Sequence, residues 1–161
     1  KTIAPSIRIS YMILPPKLLE RYREKLGFYA CTVSGFEQYT LAKFLEQGYF
    51  ERHLGRMRNR YRQKRDQVIT AFLQGPLAGR VKITGQDAGL HFLAELQTSL
   101  SDDVLQHRAA EKGLRLAVLS DYYHDKKGAR QHTLVVNYSG LNLQHLPRAL
   151  EYLADIIKER S

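Results

Sequence analysis

Lys1-Thr2-Ile3-Ala4-Pro5-Ser6-Ile7-Arg8-Ile9-Ser10-Tyr11 is the stretch on which the fold turns. Pro5 has no N–H to donate and pushes Ala4 toward extended geometry, so Lys1 sits on a turn leading directly into an expected strand over residues 6–14. Side chains alternate along a strand, which places Ile7, Ile9, Tyr11 and Ile13 on one face and Arg8, Ser10 and Met12 on the other. Arg8 thus opposes the apolar face. For an isolated Lys-x6-Arg the plainer reading is a terminal lysine and a solvated strand arginine, but the same residue types also suit one chemistry. A lysine amine attacks an aldehyde only when unprotonated, so burial or nearby positive charge has to lower its pKa from about 10.4. A guanidinium contributes such charge, and its planar fork donates two parallel hydrogen bonds to a phosphate.

Outward from this stretch, Pro15-Pro16 stops extended structure and opens a helix over 17–28, with Leu18, Leu19, Tyr22 and Leu26 as its apolar stripe. Residues 30–36 read as a connector and 37–47 as a second helix carrying Tyr39, Leu41 and Leu45. From Tyr49 to Gln74, apolar residues recur at Phe50, Leu54, Met57, Tyr61, Val68, Phe72 and Leu73, the spacing of one long amphipathic helix ended by Gly75-Pro76. The later half alternates β patterns (80–83, 89–96, 114–119, 132–137) with helices over 101–112 and 143–159. Ser101 caps the first of these helices, with Asp102 and Asp103 in its first turn. A ββαββα order implies a small sheet covered by helices on one face, hence an α+β class. The expected boundaries are a first part over 1–48, the linking helix over 49–75 and a compact α+β unit over 76–161.

Charge and cysteine content narrow the function classes. The net charge of +9 comes from 25 basic and 16 acidic residues, with a cluster at Arg52, Arg56, Arg58, Arg60, Arg62, Lys64 and Arg65. These cations fall mostly between the apolar positions of the long helix and read as its solvated face. No helix-turn-helix or stacking-aromatic pattern accompanies them. Cys31 is the sole cysteine, so no disulfide forms within the chain, and no Cys/His spacing suits a metal. A reducing, cytoplasmic setting fits, and no apolar run is long enough for a membrane span. Among other candidates, His91 reads as a structural strand histidine, and His124-Asp125 as part of a polar loop. Tyr122-Tyr123 either lines a pocket or packs a hairpin. Ser139-Gly140 reads as a turn, without the pattern of a nucleophile elbow.

The opening stretch resembles the segment of fold-type I pyridoxal-phosphate proteins that carries the cofactor lysine. Its variant, with proline four and arginine seven residues after the lysine, is most similar to the aminotransferase-type domains of MocR-type (GntR family) transcription regulators and to 2-aminoadipate-aminotransferase-like enzymes. Gly48-Tyr49-Phe50-Glu51-Arg52-His53-Leu54-Gly55-Arg56-Met57-Arg58-Asn59-Arg60-Tyr61, followed by Lys64-Arg65-Asp66, is similar to the helix joining large and small domains in that group. Gly89-Leu90-His91 and Val135-Val136-Asn137-Tyr138-Ser139-Gly140-Leu141 resemble two of its small-domain strands. Ser10 stands where the family usually has glycine.

The resemblance implies the C-terminal part of a fold-type I domain: the end of the large, cofactor-binding domain, the linking helix and a small α/β sandwich. It implies pyridoxal phosphate as cofactor, with Lys1 as the catalytic lysine that binds the aldehyde and Arg8 binding the phosphate. The implied function is an effector-sensing domain of a GntR/MocR-type regulator; the alternative is a free-standing class I/II aminotransferase acting on amino acids. Implied partners are an amino acid or amine, a second copy in a homodimer, and DNA only through a domain upstream of Lys1. In many aminotransferases an arginine three residues before the aromatic of the last strand binds the substrate carboxylate. Counting back from Tyr138 gives Val135, and Arg130 lies just upstream as a substitute.

Overall fold

The computed structural model describes residue 3 and residues 7–158. Lys1 lies outside them. The chain divides into two compact units, Lys1–Arg58 and Asn59–Ser161, and the division falls within the long helix.

The first unit is helical. Its helix α1 spans Pro16–Leu26, with Pro16 at the first position, where a missing N–H loses nothing. Helix α2 spans Gly35–Glu46 and opens on a capping box: the Ser34 hydroxyl accepts from Glu37 N at 3.2 Å and donates to the Glu37 carboxylate at 3.0 Å. Gly48, at φ 69°, turns the chain from α2 into α3, which spans Tyr49–Gln74. Residues 7–15 form no strand, contrary to the expectation for 6–14. The alternation is nevertheless visible at its start, where Ile3, Ile7 and Ile9 line an apolar cleft with Phe36, Leu41 and Phe44 of α2 while Arg8 and Ser10 are exposed. What is missing is a neighbouring backbone: no strand among the described residues pairs with this segment, and a ladder needs two.

No described residue of this first unit is buried, and large apolar side chains stand in the open. Tyr11 is 89% exposed, Ile13 85%, Phe36 82% and Phe28 77%. The α1 stripe of Leu18, Tyr22 and Leu26 is exposed as well. A patch of this extent is uncommon on a self-sufficient domain.

The second unit has a complete core. Strands β1 (Val81–Thr84), β2 (His91–Leu96) and β3 (Thr133–Asn137) form an antiparallel sheet in the order β1-β2-β3. The register pairs Ile83 with Ala94, and Phe92 with Val136. Phe92, Ala94 and Leu96 therefore share one face of β2, and all three are buried. Against that face lie Val68 and Phe72 of α3, Leu105 and Ala109 of α4 (Asp102–Glu111), and a stripe on α5 (Leu146–Lys158) that includes Leu150, Leu153 and Ile156. Helix α3 stops at Gly75, where a Cβ would lie 2.3 Å from the Ala71 carbonyl oxygen.

The α+β class holds, with one local correction. Residues 114–119 do not form a fourth strand: Val118 makes a single bridge to Leu134, Val135 N donates to Ala117 O at 2.8 Å, and the chain then turns into a short 3₁₀ segment at Leu119–Tyr122. Leu114 and Leu116 supply half-buried side chains on the right period, but the 3₁₀ turn draws the backbone out of register after one bridge. Among the described residues, no helix is long and apolar enough to cross a membrane.

Candidate functional site

Arg8 is the one proposed cofactor ligand among the described residues, and Lys1 is not among them. The isoleucines on either side of Arg8 line the α2 cleft, which leaves the guanidinium on the exposed side. Arg8 forms no ion pair within the described residues. An exposed guanidinium without a carboxylate partner has its donors available, so residue type and surroundings both fit a phosphate ester.

The basic run on α3 divides into two groups. Lys64 donates to Ser139 O at 2.9 Å and Arg65 donates to Asp66 Oδ1 at 2.9 Å and to Gln86 O at 3.2 Å, so both cations fasten α3 to turns of the second unit. Arg52 lies over the Tyr49 ring at 4.6 Å and donates to Gln47 O. Arg56, Arg58, Arg60 and Arg62 are exposed, as expected of a solvated face.

A second candidate site lies on the sheet face turned away from the core. There His91 and Leu93 of β2 and Val135 and Asn137 of β3 form one side of a cleft of about 490 Å³, closed by Ala117, Leu119 and Tyr122. The register explains the grouping: His91 pairs with Asn137 and Leu93 with Val135, so these four side chains project from the same face. Tyr122 thus lines a pocket, and His91, which the sequence suggested as structural, is exposed at its edge. Nothing local in the sequence brings Leu119 and Tyr122 to this face; the 3₁₀ turn does so. Val135, three residues before Tyr138, faces into the cleft.

Arg130 is already engaged. Its guanidinium donates to Glu95 Oε2 at 2.6 Å, with both side chains about half exposed. Glu95 follows Leu93 by two residues on the same face of β2. A carboxylate recruited by Arg130 would have to compete with Glu95. The other polar candidates are turn residues. Asp125 accepts from Lys127 N at 2.9 Å, and Asn137 Oδ1 accepts from Ser139 N and Oγ at 3.1 and 2.7 Å. Among the described residues no His/Cys/Asp/Glu cluster could hold a metal.

No family model matches the chain. The HTH-type transcriptional regulator YdeL of Bacillus subtilis is 33% identical over 153 residues, 95% of this chain and 32% of that protein. The probable rhizopine catabolism regulatory protein MocR of Rhizobium meliloti is 32% identical over 143 residues, 88% of this chain and 28% of its own length. Among solved structures, LysN, an α-aminoadipate aminotransferase of Thermus thermophilus, superposes with a TM-score of 0.63 at 23% identity, covering 91% of this chain and 36% of that one. That likeness establishes the fold. The chain spans about a third of the length of the curated relatives it matches. These findings agree with the resemblance carried by the motifs: the chain is similar to HTH-type transcriptional regulators and to a probable MocR regulatory protein, and the fold is that of the C-terminal part of an aminotransferase.

Proposed function

We propose that the chain, as the C-terminal part of an aminotransferase-like domain of the MocR type, senses an amino acid or amine for a GntR-family transcription regulator. The similarity to HTH-type regulators along nearly its whole length carries this reading. Support also comes from the first unit, whose apolar surface is what a segment of a larger domain would expose when separated from the rest. In the proposed organisation, residues 1–48 complete the large domain, α3 links it to the remainder, and residues 76–161 form the small domain. The intact protein would be a cytoplasmic homodimer whose DNA-reading module lies upstream of Lys1.

When bound, pyridoxal phosphate supplies an aldehyde that forms and exchanges covalent bonds with amines. Lys1 would hold it through Nζ and, once released by an incoming amine, accept a proton at the ligand carbon. Arg8 would pair with the phosphate, and its fork would fix the orientation of the ester. Arg8→Ala in the full-length protein should weaken cofactor affinity by about 1.5–3 kcal/mol, the worth of hydrogen bonds to a charged group. Equilibrium dialysis measures this, and Arg8→Lys should recover only part of it because lysine lacks the fork.

The regulator reading is tested by titrating the full-length, cofactor-loaded protein with primary amines and amino acids while following its DNA affinity and product formation in parallel. We expect the active ligand to change DNA affinity by about fivefold to 150-fold, the usual range of allosteric coupling, without sustained turnover. Steady production of a keto acid or aldehyde with no effect on DNA would favour the alternative, an amino-acid aminotransferase.

A further inference from the structure

We infer that the second unit carries a further ligand site, a cavity between β3, α5 and residues 114–117 that takes a small monocarboxylate with an apolar tail. The tail enters the interior, and the acid group sits at the rim beside Arg115. Every residue involved belongs to the second unit, so the site requires neither the cofactor nor the first unit.

The cavity exists because two elements hold residues 114–117 from different sides. Val118 bridges Leu134, and Ala117 O accepts from Val135 N at 2.8 Å. Toward Leu114, no further backbone bond joins the segment to β3 among the described residues. Helix α4 holds it there instead: Leu116 O accepts from Gln106 Nε2 at 3.2 Å, and Leu114 N donates to Ala109 O at 2.8 Å. The segment therefore parts from the edge of β3 and leaves a space of about 350 Å³ above α5. Well-packed interiors hold few voids larger than a water molecule. An apolar cavity of about 150 Å³ is enough to take up benzene. The bonds to α4 keep this larger space from closing by collapse.

Its interior is apolar. Phe72, Leu134, Val136, Leu146, Leu150 and Leu153 form the wall. Leu134 and Val136 project from the core side of β3, the reverse of the face that carries Val135 into the outer cleft. Among the described residues Arg115 is the one charged group on the lining, and it is exposed at the rim. It forms no ion pair among those residues, so its fork is free to donate two parallel hydrogen bonds to a carboxylate. A tail gains by leaving water, about fourfold in affinity for each methylene buried. A second charge on that tail would meet leucine and phenylalanine with nothing to replace its hydration. The cavity thus selects one acid group on an uncharged tail, and its volume lies within the range of small-molecule sites, roughly 300–1,000 Å³.

The test titrates the 161-residue chain with butanoate, hexanoate and octanoate and follows the methyl NMR signals of Leu134, Val136 and Leu153. We expect all three residues to respond, with affinity rising about 15-fold for each two-carbon step. Arg115→Gln should weaken octanoate about twofold to fivefold, the range of an exposed pair, and leave octanol unchanged. The net charge of +9 attracts any anion, so Arg80→Gln serves as the control. It removes the same charge from an exposed residue off the lining and should leave octanoate affinity unchanged. Ala149→Leu, which fills the space from α5, should abolish the methyl response in a chain that remains folded.

Unmoved methyls with octanoate, equal affinities along the acid series, or equal losses in Arg115→Gln and Arg80→Gln would overturn the site. So would retained octanoate binding in a folded Ala149→Leu chain. If that variant does not fold, the acid series and the two arginine variants decide the question without it. Binding of octanoate to this chain but not to the full-length protein would show that another part of the protein covers the cavity, and would overturn the site as well.

Discussion

Phe92→Ala should destabilise the second unit by about 3–5 kcal/mol, the usual loss for deleting a fully buried phenyl ring. Phe92 is wholly inaccessible, lies edge-on to Phe72 at 5.8 Å and stacks on Tyr138 at 6.3 Å. The ring therefore joins α3, the middle strand and the end of β3. Tyr138 is held in place at its other end, where its hydroxyl donates to Gly89 O at 2.7 Å, so it cannot readily move into the vacated space. Aromatic pairs of this kind add about 0.5–1.5 kcal/mol beyond area burial. Against a typical domain stability of about 5–15 kcal/mol, the variant would sit near its unfolding threshold. Urea unfolding of the chain, followed through the tyrosine signal, measures the loss. A change below about 1 kcal/mol would mean that the core is not centred on this ring.

Asp102→Ala should be nearly as damaging through a different mechanism. Asp102 is 3% exposed at the start of α4, where the helix dipole favours a negative group. Its Oδ2 accepts from Ser120 Oγ at 2.6 Å and its Oδ1 from His132 N at 2.8 Å. One carboxylate thus joins the helix, the 3₁₀ turn that forms part of the cleft, and the residue before β3. His132 sits at φ 59°, a left-handed conformation uncommon for a residue with a side chain. Removing the acceptor leaves a backbone N–H and a hydroxyl without partners, at about 1–3 kcal/mol for each group that stays buried. Asp102→Asn keeps an acceptor oxygen and should lose less. Hydrogen exchange at the His132 amide reports the break directly: it should accelerate in Asp102→Ala and much less in Asp102→Asn. Unchanged protection in the alanine variant would show that the backbone there is held by something else.

The sequence is most legible where the determining signal is local. The recurrence from Phe50 to Phe72 locates the long helix, Ser101 with Asp102 and Asp103 locates the start of α4, and the alternation in 89–96 matches the buried face of β2. Extended structure was less legible, because alternation specifies which face a side chain takes but not whether a second backbone is present to pair with it. Residues 7–9 and 114–118 both keep the expected sidedness, and neither becomes a strand of the sheet.

The candidate sites divide in the same way. The spacing of Lys1 and Arg8 is a local signal; Lys1 lies outside the described residues, and Arg8 lies on the exposed side that its position in the alternation implies. The cleft was half legible. The sequence places an aliphatic residue at Val135, but the approach of Leu119 and Tyr122 depends on the turn that Asp102 anchors through Ser120. That junction joins residues far apart in the chain, and no periodicity encodes it. The pairing of Arg130 with Glu95 is likewise a product of the fold, and any ligand carboxylate drawn to Arg130 would have to compete with it.

The central claim is that Lys1 is the residue that holds pyridoxal phosphate, and one measurement addresses it directly. The full-length protein is incubated with pyridoxal phosphate, treated with borohydride, digested and analysed by peptide mass spectrometry. The account predicts one phosphopyridoxyl group per chain, on the peptide that begins the Lys1-Thr2-Ile3-Ala4-Pro5 stretch, and its loss in Lys1→Ala. A stoichiometric label on a different lysine, or no retained label at all, would contradict it.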